Sequence, residues 1–423
     1  MRVKLAYGKR GLDLDLDEGW NVRVIEPQFV PSVTDPAAAL RAALRSPIGA
    51  LPLRAQVGRD DRVGIIVNDI TRATPNPLIL RAILDELPEV PRDNLTLFIA
   101  LGTHRPNTPD ELSTLLGADI SRGIRIVQNN AFDRETQVCL GTTSRGNEAW
   151  VNRDLMACSF RILTGFIEPH FFAGFSGGPK ALMPGMGGQA TVLRNHSVSN
   201  IANPNATWGI THGNPIWEEV HEIALMAGNL FLVNVALNRD KDITSVFAGD
   251  LDQAHDQGCE FVRRTSMVPV EEPFDIVLTT NSGYPLDLNL YQAVKGMSAA
   301  AKVVRDGGAI LIAAECWDGI PEHGLYGQLL RESGSPQALL ERLAAPGFAM
   351  QDQWQAQIQA QIQLKAEVYV HSDYLSDEQI RSARLLPAAD LRAVLDRLVQ
   401  RYGPQARICV LPEGPQTIPY RMG

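Results

Sequence analysis

Short apolar runs alternate with longer amphipathic stretches along most of this sequence, and this alternation constrains the fold more than any other feature. Runs such as 95–101 and 162–166 are mostly apolar and have the length of a buried strand. Between such runs, stretches such as 78–87 and 216–226 carry apolar residues at helical spacing. Strands that alternate with helices favour a mostly parallel sheet, so we predict an α/β fold.

The chain is long enough for two domains. It has 423 residues, 45% of them hydrophobic, which is more than one compact core usually holds. A proline-rich stretch without periodicity at 269–273 marks the expected boundary, so we predict two α/β domains, N-terminal over 1–270 and C-terminal over 274–403. Leucines alternate with aspartates at 12–17, which predicts a small antiparallel element at the N-terminus. The last apolar run fits an edge strand of either domain, and one option is that the tail, 404–423, packs on the N-terminal domain.

The charge and cysteine content argue against several classes of protein. The formal net charge is −9 without any run of five or more like charges, which argues against nucleic acid or membrane as partner. Five cysteines, an odd number without a CxxC pair, fit a reducing compartment. No apolar run approaches the ~18 residues of a membrane helix, and the charged N-terminus lacks a signal-peptide core. We therefore expect a soluble, cytoplasmic protein, and these features do not predict its oligomeric state.

Polar residues follow three of the predicted strands, at the edge where open parallel sheets bind ligands. The stretch NDITR ends at Arg72, GTHR contains His104, and IEPH ends at His170. A single loop histidine is more often a surface or structural residue, and an arginine alone fits a surface ion pair. Two histidines in equivalent positions, with an arginine in a third, favour a site where imidazoles exchange protons and a guanidinium holds a carboxylate.

The segment at 165–188, GFIEPHFFAGFSGGPKALMPGMGG, is the most unusual part of the chain. It places several glycines, among them Gly177 and Gly178, around one lysine, Lys180. Glycines let backbone N–H groups approach a phosphate or a flat ring closely, which makes these two candidate cofactor contacts. The spacing matches neither a Walker loop nor a GxGxxG fingerprint. A glycine-rich turn with an exposed lysine is the simpler interpretation, and the motif alone leaves it open.

Two further places carry candidate ligands. His196, in RNHS, fits a capping or surface residue, but a neutral imidazole is also a good nickel ligand. No second histidine, cysteine or carboxylate stands at helical spacing from it, so a metal there would take most of its ligands from a cofactor. Gln292 and Lys295, in YQAVKG, share one face of a predicted helix. An amide and an ammonium there suit a hydroxy acid, and a solvated helix face is the alternative.

With these segments assembled, the chain resembles the lactate racemase family of nickel-pincer nucleotide enzymes over nearly its whole length. The matching segments follow in the family's order and approximate spacing: NDITRATP, ALGTHRP, GFIEPHFFAGFSGGPKALMPG, RNHS, YQAVKG and PEGPQTIP. The resemblance implies an enzyme that inverts the C2 centre of a small 2-hydroxy acid such as lactate. Racemases and epimerases of several 2-hydroxy acids share these motifs, so the substrate stays open.

The resemblance also implies roles for individual residues. His104 and His170 match the paired acid/base residues, Lys180 the covalent attachment point of the cofactor, and His196 the protein ligand of nickel. The residues that match substrate-binding positions are Arg72, Gln292 and Lys295. The residues that match positions beside the cofactor or orient its neighbours are Asp69, Tyr291 and Trp354.

The implied cofactor is the nickel-pincer nucleotide, pyridinium-3-thioamide-5-thiocarboxylic acid mononucleotide with nickel, attached to Lys180. In this mechanism one histidine deprotonates the substrate hydroxyl while the C2 hydride passes to the cofactor, and the hydride then returns to the opposite face. Cofactor-building and nickel-insertion proteins are therefore implied partners. Because the candidate residues fall on both sides of 269–273, we predict an active site in the cleft between the domains.

Two other functions fit part of the pattern. A metal-dependent hydrolase or lyase would use His104, His170 and His196 as ligands of one cation, although they lie on three separate loops. A non-catalytic sugar-acid binding protein would not need the paired histidines. Retained zinc with an unmodified Lys180 would favour the hydrolase, and holoprotein that leaves lactate unchanged would favour the binding protein.

Overall fold

The computed structural model describes residues 1–321 and 324–421, and the chain divides into two compact units. Unit 1 comprises Met1–Gln28, Ser197–Ala202 and the chain from Arg264 onward, and unit 2 comprises Phe29–His196 and Asn203–Arg263. Each unit contains a six-stranded, mostly parallel sheet within the described residues. The predicted α/β class with two mostly parallel sheets is confirmed.

The strands in chain order are β1 (Arg2–Leu5), β2 (Leu12–Asp15), β3 (Asn21–Val24), β4 (Val63–Asn68), β5 (Leu95–Ala100), β6 (Arg125–Gln128), β7 (Gln137–Thr142), β8 (Glu148–Asn152), β9 (Phe160–Phe166), β10 (Pro169–His170), β11 (Gly174–Phe175), β12 (Leu230–Leu237), β13 (Ile243–Gly249), β14 (Met267–Val270), β15 (Phe274–Thr280), β16 (Val304–Ala313), β17 (Ala366–His371), β18 (Leu386–Pro387), β19 (Arg407–Leu411) and β20 (Ile418–Arg421).

The helices in chain order are α1 (Pro36–Arg45), α2 (Leu53–Gln56), α3 (Asn76–Asp85), α4 (Pro109–Leu116), α5 (Ala118–Ser121), α6 (Arg153–Met156), α7 (Gln189–Asn195), α8 (Val198–Ile201), α9 (Pro215–Ala227), α10 (Leu251–Ser266), α11 (Leu290–Ala301), α12 (Tyr326–Glu332), α13 (Pro336–Leu343), α14 (Gln353–Lys365), α15 (Asp377–Ser382) and α16 (Leu391–Tyr402).

The sheet of unit 2 has the strand order β13-β12-β9-β4-β5-β6. Neighbours from β12 to β6 run parallel, and β13 is antiparallel at one edge. Its central strands are apolar almost throughout, as in VGIIVN of β4 and LTLFIA of β5, because a parallel sheet is buried on both faces. Since β4 lies between β5 and β9, the residues that follow these three strands emerge at one edge.

The sheet of unit 1 has the order β18-β17-β16-β15-β19-β3, and its paired strands run parallel. The hairpin β1–β2 is antiparallel, as the alternation of leucine and aspartate predicts. Its leucines Leu5, Leu14 and Leu16 belong to the same buried core as Ile276 and Ile408 of the sheet. The hairpin thus covers part of one face of this sheet.

The limits of the two units differ from the predicted domain limits at both ends of the chain. The N-terminal 28 residues belong to unit 1, where β3 forms an edge of the sheet. The tail belongs to unit 1, where β19 lies between β15 and β3, and β20 pairs with β14. Four of the five residues of β19 are buried, as expected for a strand in the interior of a sheet. An apolar run predicts that a segment is buried, but it does not identify the strands that lie beside it.

A glutamine-rich helix in unit 1 is buried on all sides over most of its length. In α14 the side chains of Gln353, Gln355, Gln357 and Gln359 are buried, and Gln357 Nε2 donates to the carbonyl of Val198 in α8 at 2.9 Å. Buried amides need such partners, because an unpaired one would be costly. The short helix α8, directly after His196, is therefore tied to unit 1. Over 1–321 and 324–421, we find no helix whose length and apolar character would let it cross a bilayer.

Candidate active site

The loops after β4, β5 and β9 carry Asp69 with Arg72, His104, and His170, as expected from the shared sheet edge. Arg72 is half-buried, and its N–H donates to the carbonyl of Asp69 at 3.2 Å. The His104 loop is also joined to the glycine-rich segment, since the N–H of Gly102 donates to the carbonyl of Gly185 at 2.9 Å. The topology of unit 2 thus brings the candidate loops to one edge.

Asp69 is buried and supports His104. Asp69 Oδ2 lies 2.6 Å from His104 Nδ1, and Thr71 donates to Oδ1 from its hydroxyl at 2.6 Å and its N–H at 3.1 Å. Burial alone would raise the pKa of Asp69, but the hydrogen bond and charge of His104, together with Arg72, lower that pKa below its usual value. The ionised carboxylate only accepts, so His104 Nδ1 carries a proton and Nε2 is left for a substrate.

His170 is also hydrogen-bonded at Nδ1, but there the partners are donors, whereas the partner of His104 is an acceptor. It lies in β10, which forms a tight antiparallel pair with β11. The backbone N–H groups of Ala173 and Phe172 donate to His170 Nδ1 at 3.2 and 3.5 Å. A donor requires a lone pair on Nδ1, so the neutral ring carries its proton on Nε2.

Phe172 is a buried ring on which three of the predicted site residues converge. Its centroid lies 4.6 Å from that of His170 and 5.0 Å from that of His196, both in edge-to-face geometry. The Nζ of Lys180 lies 5.5 Å from the same centroid. The structure therefore brings together a predicted acid/base, the predicted metal ligand and the predicted cofactor lysine. Sequence reasoning missed Phe172, because FF after a histidine also fits ordinary core packing.

His196 ends α7 and is buried, so it is neither a surface histidine nor an exposed cap. Its N–H donates to the carbonyl of Val192 at 2.9 Å, which closes the last turn of the helix. Burial, and then the charge of Lys180, lower the pKa of His196 to about 3. The ring is therefore neutral near pH 7, which is the state in which an imidazole binds a transition metal.

Lys180 lies in a short 3-10 turn, Gly178–Ala181. Two glycines that precede it, Gly177 and Gly178, have no room for a side chain, because other parts of the protein pack against them. Gly177 and Gly178 have φ of 73° and 55°, a region that favours glycine. A Cβ on Gly177 would lie 2.5 Å from Asn234 Oδ1, and one on Gly178 would lie 2.6 Å from the ring of His255. The N–H of Gly178 already donates to Asn234 Oδ1 at 2.7 Å, so it is not available to a phosphate.

The candidates of unit 1 lie on two helices that contact each other. Tyr291, Gln292 and Lys295 are half-buried on α11, which Asn289 caps by accepting from the N–H of Gln292 at 3.0 Å. Trp354 Nε1 on α14 donates to Tyr291 Oη at 3.1 Å. The structure thus pairs the two aromatic residues that the resemblance associates with the cofactor. It keeps Gln292 and Lys295 on one helical face, as their spacing predicts.

Sequence reasoning missed two more residues of the site's support, Asn234 and His255. Asn234 is a polar residue inside the apolar run LFLVNVAL, and a buried amide in a strand is a signal of a specific partner. His255 stands on the buried side of the amphipathic helix α10, where its sequence context gives no signal. Among residues 1–321 and 324–421, no group of three or more His, Cys, Asp or Glu side chains is arranged to hold a metal ion.

Comparisons with known protein families give two matches that together cover most of the chain. Residues 7–209 match the family model described as the lactate racemase N-terminal domain, and residues 270–418 match the lactate racemase C-terminal domain. A lactate racemase from Thermoanaerobacterium thermosaccharolyticum is 34% identical, covering 98% of this chain and 98% of its own. One from Lactiplantibacillus plantarum is 33% identical, covering 97% and 98%.

Solved structures agree with this assignment. The lactate racemase apoprotein from Thermoanaerobacterium thermosaccharolyticum superposes with a TM-score of 0.92 at 34% identity, covering 99% of this chain and 100% of that one. A crystal structure of a Thermotoga maritima protein matches with a TM-score of 0.70 at 16% identity, over 93% and 100% of the two chains, and shows the fold alone. This chain belongs to the lactate racemase family and is an isomerase, a racemase.

Proposed function

We propose that this racemase inverts the C2 centre of a small 2-hydroxy acid such as lactate, with His104 and His170 as the paired acid/base residues. The observation that carries the proposal is that two imidazoles follow β5 and β9, the strands on either side of β4, and that each is fixed at Nδ1, one by Asp69 and one by backbone N–H groups. We assign Nε2 of each ring to the substrate hydroxyl. An imidazole then serves as base for one enantiomer and as acid for the other.

We assign Asp69 to the support of His104 and Arg72 to the binding of the substrate. The Asp69 carboxylate stabilises the imidazolium that His104 becomes when it takes the hydroxyl proton. Arg72 is a bidentate donor suited to the carboxylate of the substrate. On α11, Gln292 and Lys295 present an amide and an ammonium on one face, and we assign them to substrate binding as well. Loss of either should therefore raise KM more than it lowers kcat.

The cofactor that we propose is the nickel-pincer nucleotide, covalently attached to Lys180, with His196 as the protein ligand of nickel. The residues fit this group: His196 is a neutral imidazole, Lys180 lies near the same Phe172 ring, and a single protein ligand suffices when the cofactor supplies the others. When bound, the group supplies a reversible acceptor for the C2 hydride. Maturation then requires cofactor-building and nickel-insertion proteins.

Chiral analysis of lactate tests the proposed activity. Protein made together with the cofactor-building proteins is incubated with L-lactate, and the Lys180 peptide of the same sample is weighed by mass spectrometry. We expect D-lactate to form at a rate proportional to the fraction of modified Lys180, until the two enantiomers are present in equal amounts. Lys180→Ala should abolish both the adduct and the activity. Modified protein that leaves L-lactate unchanged would contradict lactate as the substrate, and active enzyme with unmodified Lys180 would contradict the cofactor assignment.

A further inference from the structure

The turn that carries Lys180 rests on two buried side chains that take no part in the chemistry proposed above. Asn234 in β12 and His255 in α10 are 0% and 1% exposed. Asn234 Oδ1 accepts from the N–H of Gly178 at 2.7 Å, and His255 Nε2 lies 3.0 Å from the carbonyl oxygen of Ser176. The two hydrogen bonds therefore hold the turn on both sides of Gly177, just before the lysine.

The chemistry of His255 fixes its tautomer. A carbonyl oxygen only accepts, so Nε2 must carry the proton that is donated to Ser176. Burial lowers the pKa of His255, so the ring is uncharged near neutral pH. Nδ1 then has a lone pair and lies 3.6 Å from Cys259 Sγ. Burial raises the pKa of that thiol well above its usual value, so it keeps its proton and acts as a weak donor to the ring.

The His255 ring is also in van der Waals contact with the turn, beyond its single hydrogen bond. A Cβ on Gly178 would lie 2.6 to 2.8 Å from three ring atoms of His255, so only glycine allows the turn to come this close. Trp217 stacks on the ring with centroids 6.2 Å apart and planes at 13°. His255 therefore contacts the turn through its ring as well as through its hydrogen bond.

We propose that His255 is a positioning residue for Lys180, which fixes the Ser176–Lys180 turn so that the amine reaches the cofactor. It does so through its Nε2–H bond to Ser176 and its contact with Gly178. The identity of the group on Lys180 rests on the proposed function, whereas the geometry of the turn does not. Asn234 is the second anchor of the same turn, from the strand side.

The positioning role of His255 can be tested with variants that keep or remove the N–H donor to the carbonyl of Ser176. His255→Gln keeps an N–H close to the position of Nε2, whereas His255→Leu fills space without a donor. His221→Gln is the matched control, because His221 stacks on the same Trp217 at 4.9 Å but its Nε2 lies 2.6 Å from Asp252. The first readout is the fraction of Lys180 that carries the adduct after co-expression with the cofactor-building proteins. The second is the reductive alkylation of Lys180 by a small aldehyde in apoprotein, measured against Lys241.

We expect His255→Leu to lower the loaded fraction about 10-fold, since small displacements of a reacting group cost this much or more. His255→Gln and His221→Gln should stay within about twofold of the wild-type protein. Alkylation of Lys180 in the apoprotein should change by at least about threefold in His255→Leu and not in His255→Gln. If His255→Leu does not fold, Gly178→Ala disturbs the same contact from the turn and should lower loading in the same way.

Two results would overturn the proposal: a folded His255→Leu protein that loads and alkylates as the wild type does, or equal losses in the Gln and Leu variants. A wild-type protein that never carries an adduct would instead contradict the proposed cofactor. In that case the alkylation of the apoprotein still decides the role of His255, so the two failures are distinguishable.

Discussion

The two histidines that we assign to acid/base catalysis are supported in opposite ways at the same edge of one sheet. His104 follows β5 and donates from Nδ1 to the buried carboxylate of Asp69. His170 follows β9 and accepts at Nδ1 from the backbone N–H groups of Ala173 and Phe172. A full negative charge therefore supports one ring, and backbone dipoles support the other.

This difference gives the neutral rings different proton positions. His104 offers a lone pair at Nε2, whereas His170 offers a proton there. We expect the enantiomer whose hydroxyl faces His104 to react directly, and the other to need a proton shift first. Because enantiomers have equal free energies, kcat/KM must be equal in the two directions, so the asymmetry appears only in kcat and KM taken separately.

Removal of either ring should have the largest effect. His104→Ala and His170→Ala should each lower kcat/KM on the order of 10²-fold or more in both directions, because each ring is base one way and acid the other. Initial rates from both enantiomers, divided by the fraction of modified Lys180, measure this. An alanine variant that keeps wild-type kcat/KM would exclude that ring from the chemistry.

Loss of the charge behind His104 should have a smaller effect. Asp69→Asn should lower kcat/KM by on the order of 10- to 10²-fold, because an amide neither fixes the Nδ1–H tautomer nor stabilises the imidazolium. Thr71→Val is the matched control, since it removes one donor to Asp69 and keeps the carboxylate. Its kcat/KM should stay within about threefold of wild type. Equal losses in the two variants would mean that the charge is not what matters.

Phe172→Leu tests the His170 side of the comparison. The ring contacts His170 and His196 and lies below Lys180, so its loss should lower kcat/KM by about 10-fold and reduce the nickel content. Asp69→Asn should leave the nickel content unchanged, because the side chain of Asp69 bonds to His104 and Thr71. Elemental analysis of both variants and of the wild-type protein measures whether nickel binding depends on Phe172 or on Asp69. A loss of nickel in Asp69→Asn alone would reverse the assignment.

Two buried groups, His196 and Asp69, each predict a loss of stability as the pH falls, but in different pH intervals. The pKa of His196 drops from 6.5 to about 3 on folding, so the unfolded chain binds more protons and stability declines as the pH falls below 6.5. The pKa of Asp69 is also lowered, so its stabilisation is present above its ordinary value of 3.8 and is lost only below it.

Denaturation of apoprotein between pH 6 and 4.5 therefore distinguishes the two residues. His196→Asn should flatten the decline in the free energy of unfolding by up to about 1.4 kcal/mol per pH unit. Asp69→Asn should leave the slope unchanged in this interval. Parallel curves for wild type and His196→Asn would mean that His196 is not held neutral by burial.

The strands and the residues after them could be predicted because their signals are local. Apolar runs such as those of β5 and β9 report burial on both faces, and a polar residue at the end of each run marks the sheet edge. This pattern predicts Arg72, His104 and His170 as candidate site residues. The resemblance added the roles of Lys180 and His196, which their own spacing leaves open.

The partners of these residues could not be predicted, because they come from distant parts of the chain. Asn234 and His255 follow Lys180 by more than fifty residues, and only the fold brings them behind the turn. The sequence predicts Gly177 and Gly178 as contacts of a cofactor, whereas in the structure the side chains of Asn234 and His255 occupy the space beside their Cα atoms. The tail strand β19 was likewise recognisable as a strand but not as an interior one.

The most direct test of the mechanism follows the hydrogen on C2. Active holoprotein is incubated with L-lactate in deuterated water, and the D-lactate formed early is analysed by NMR and mass spectrometry. If the C2 hydrogen leaves as hydride and returns, it never exchanges with solvent, and the product keeps its original hydrogen at C2. Deuterium at C2 in the first product would contradict this account and would point to direct proton abstraction by His104 and His170.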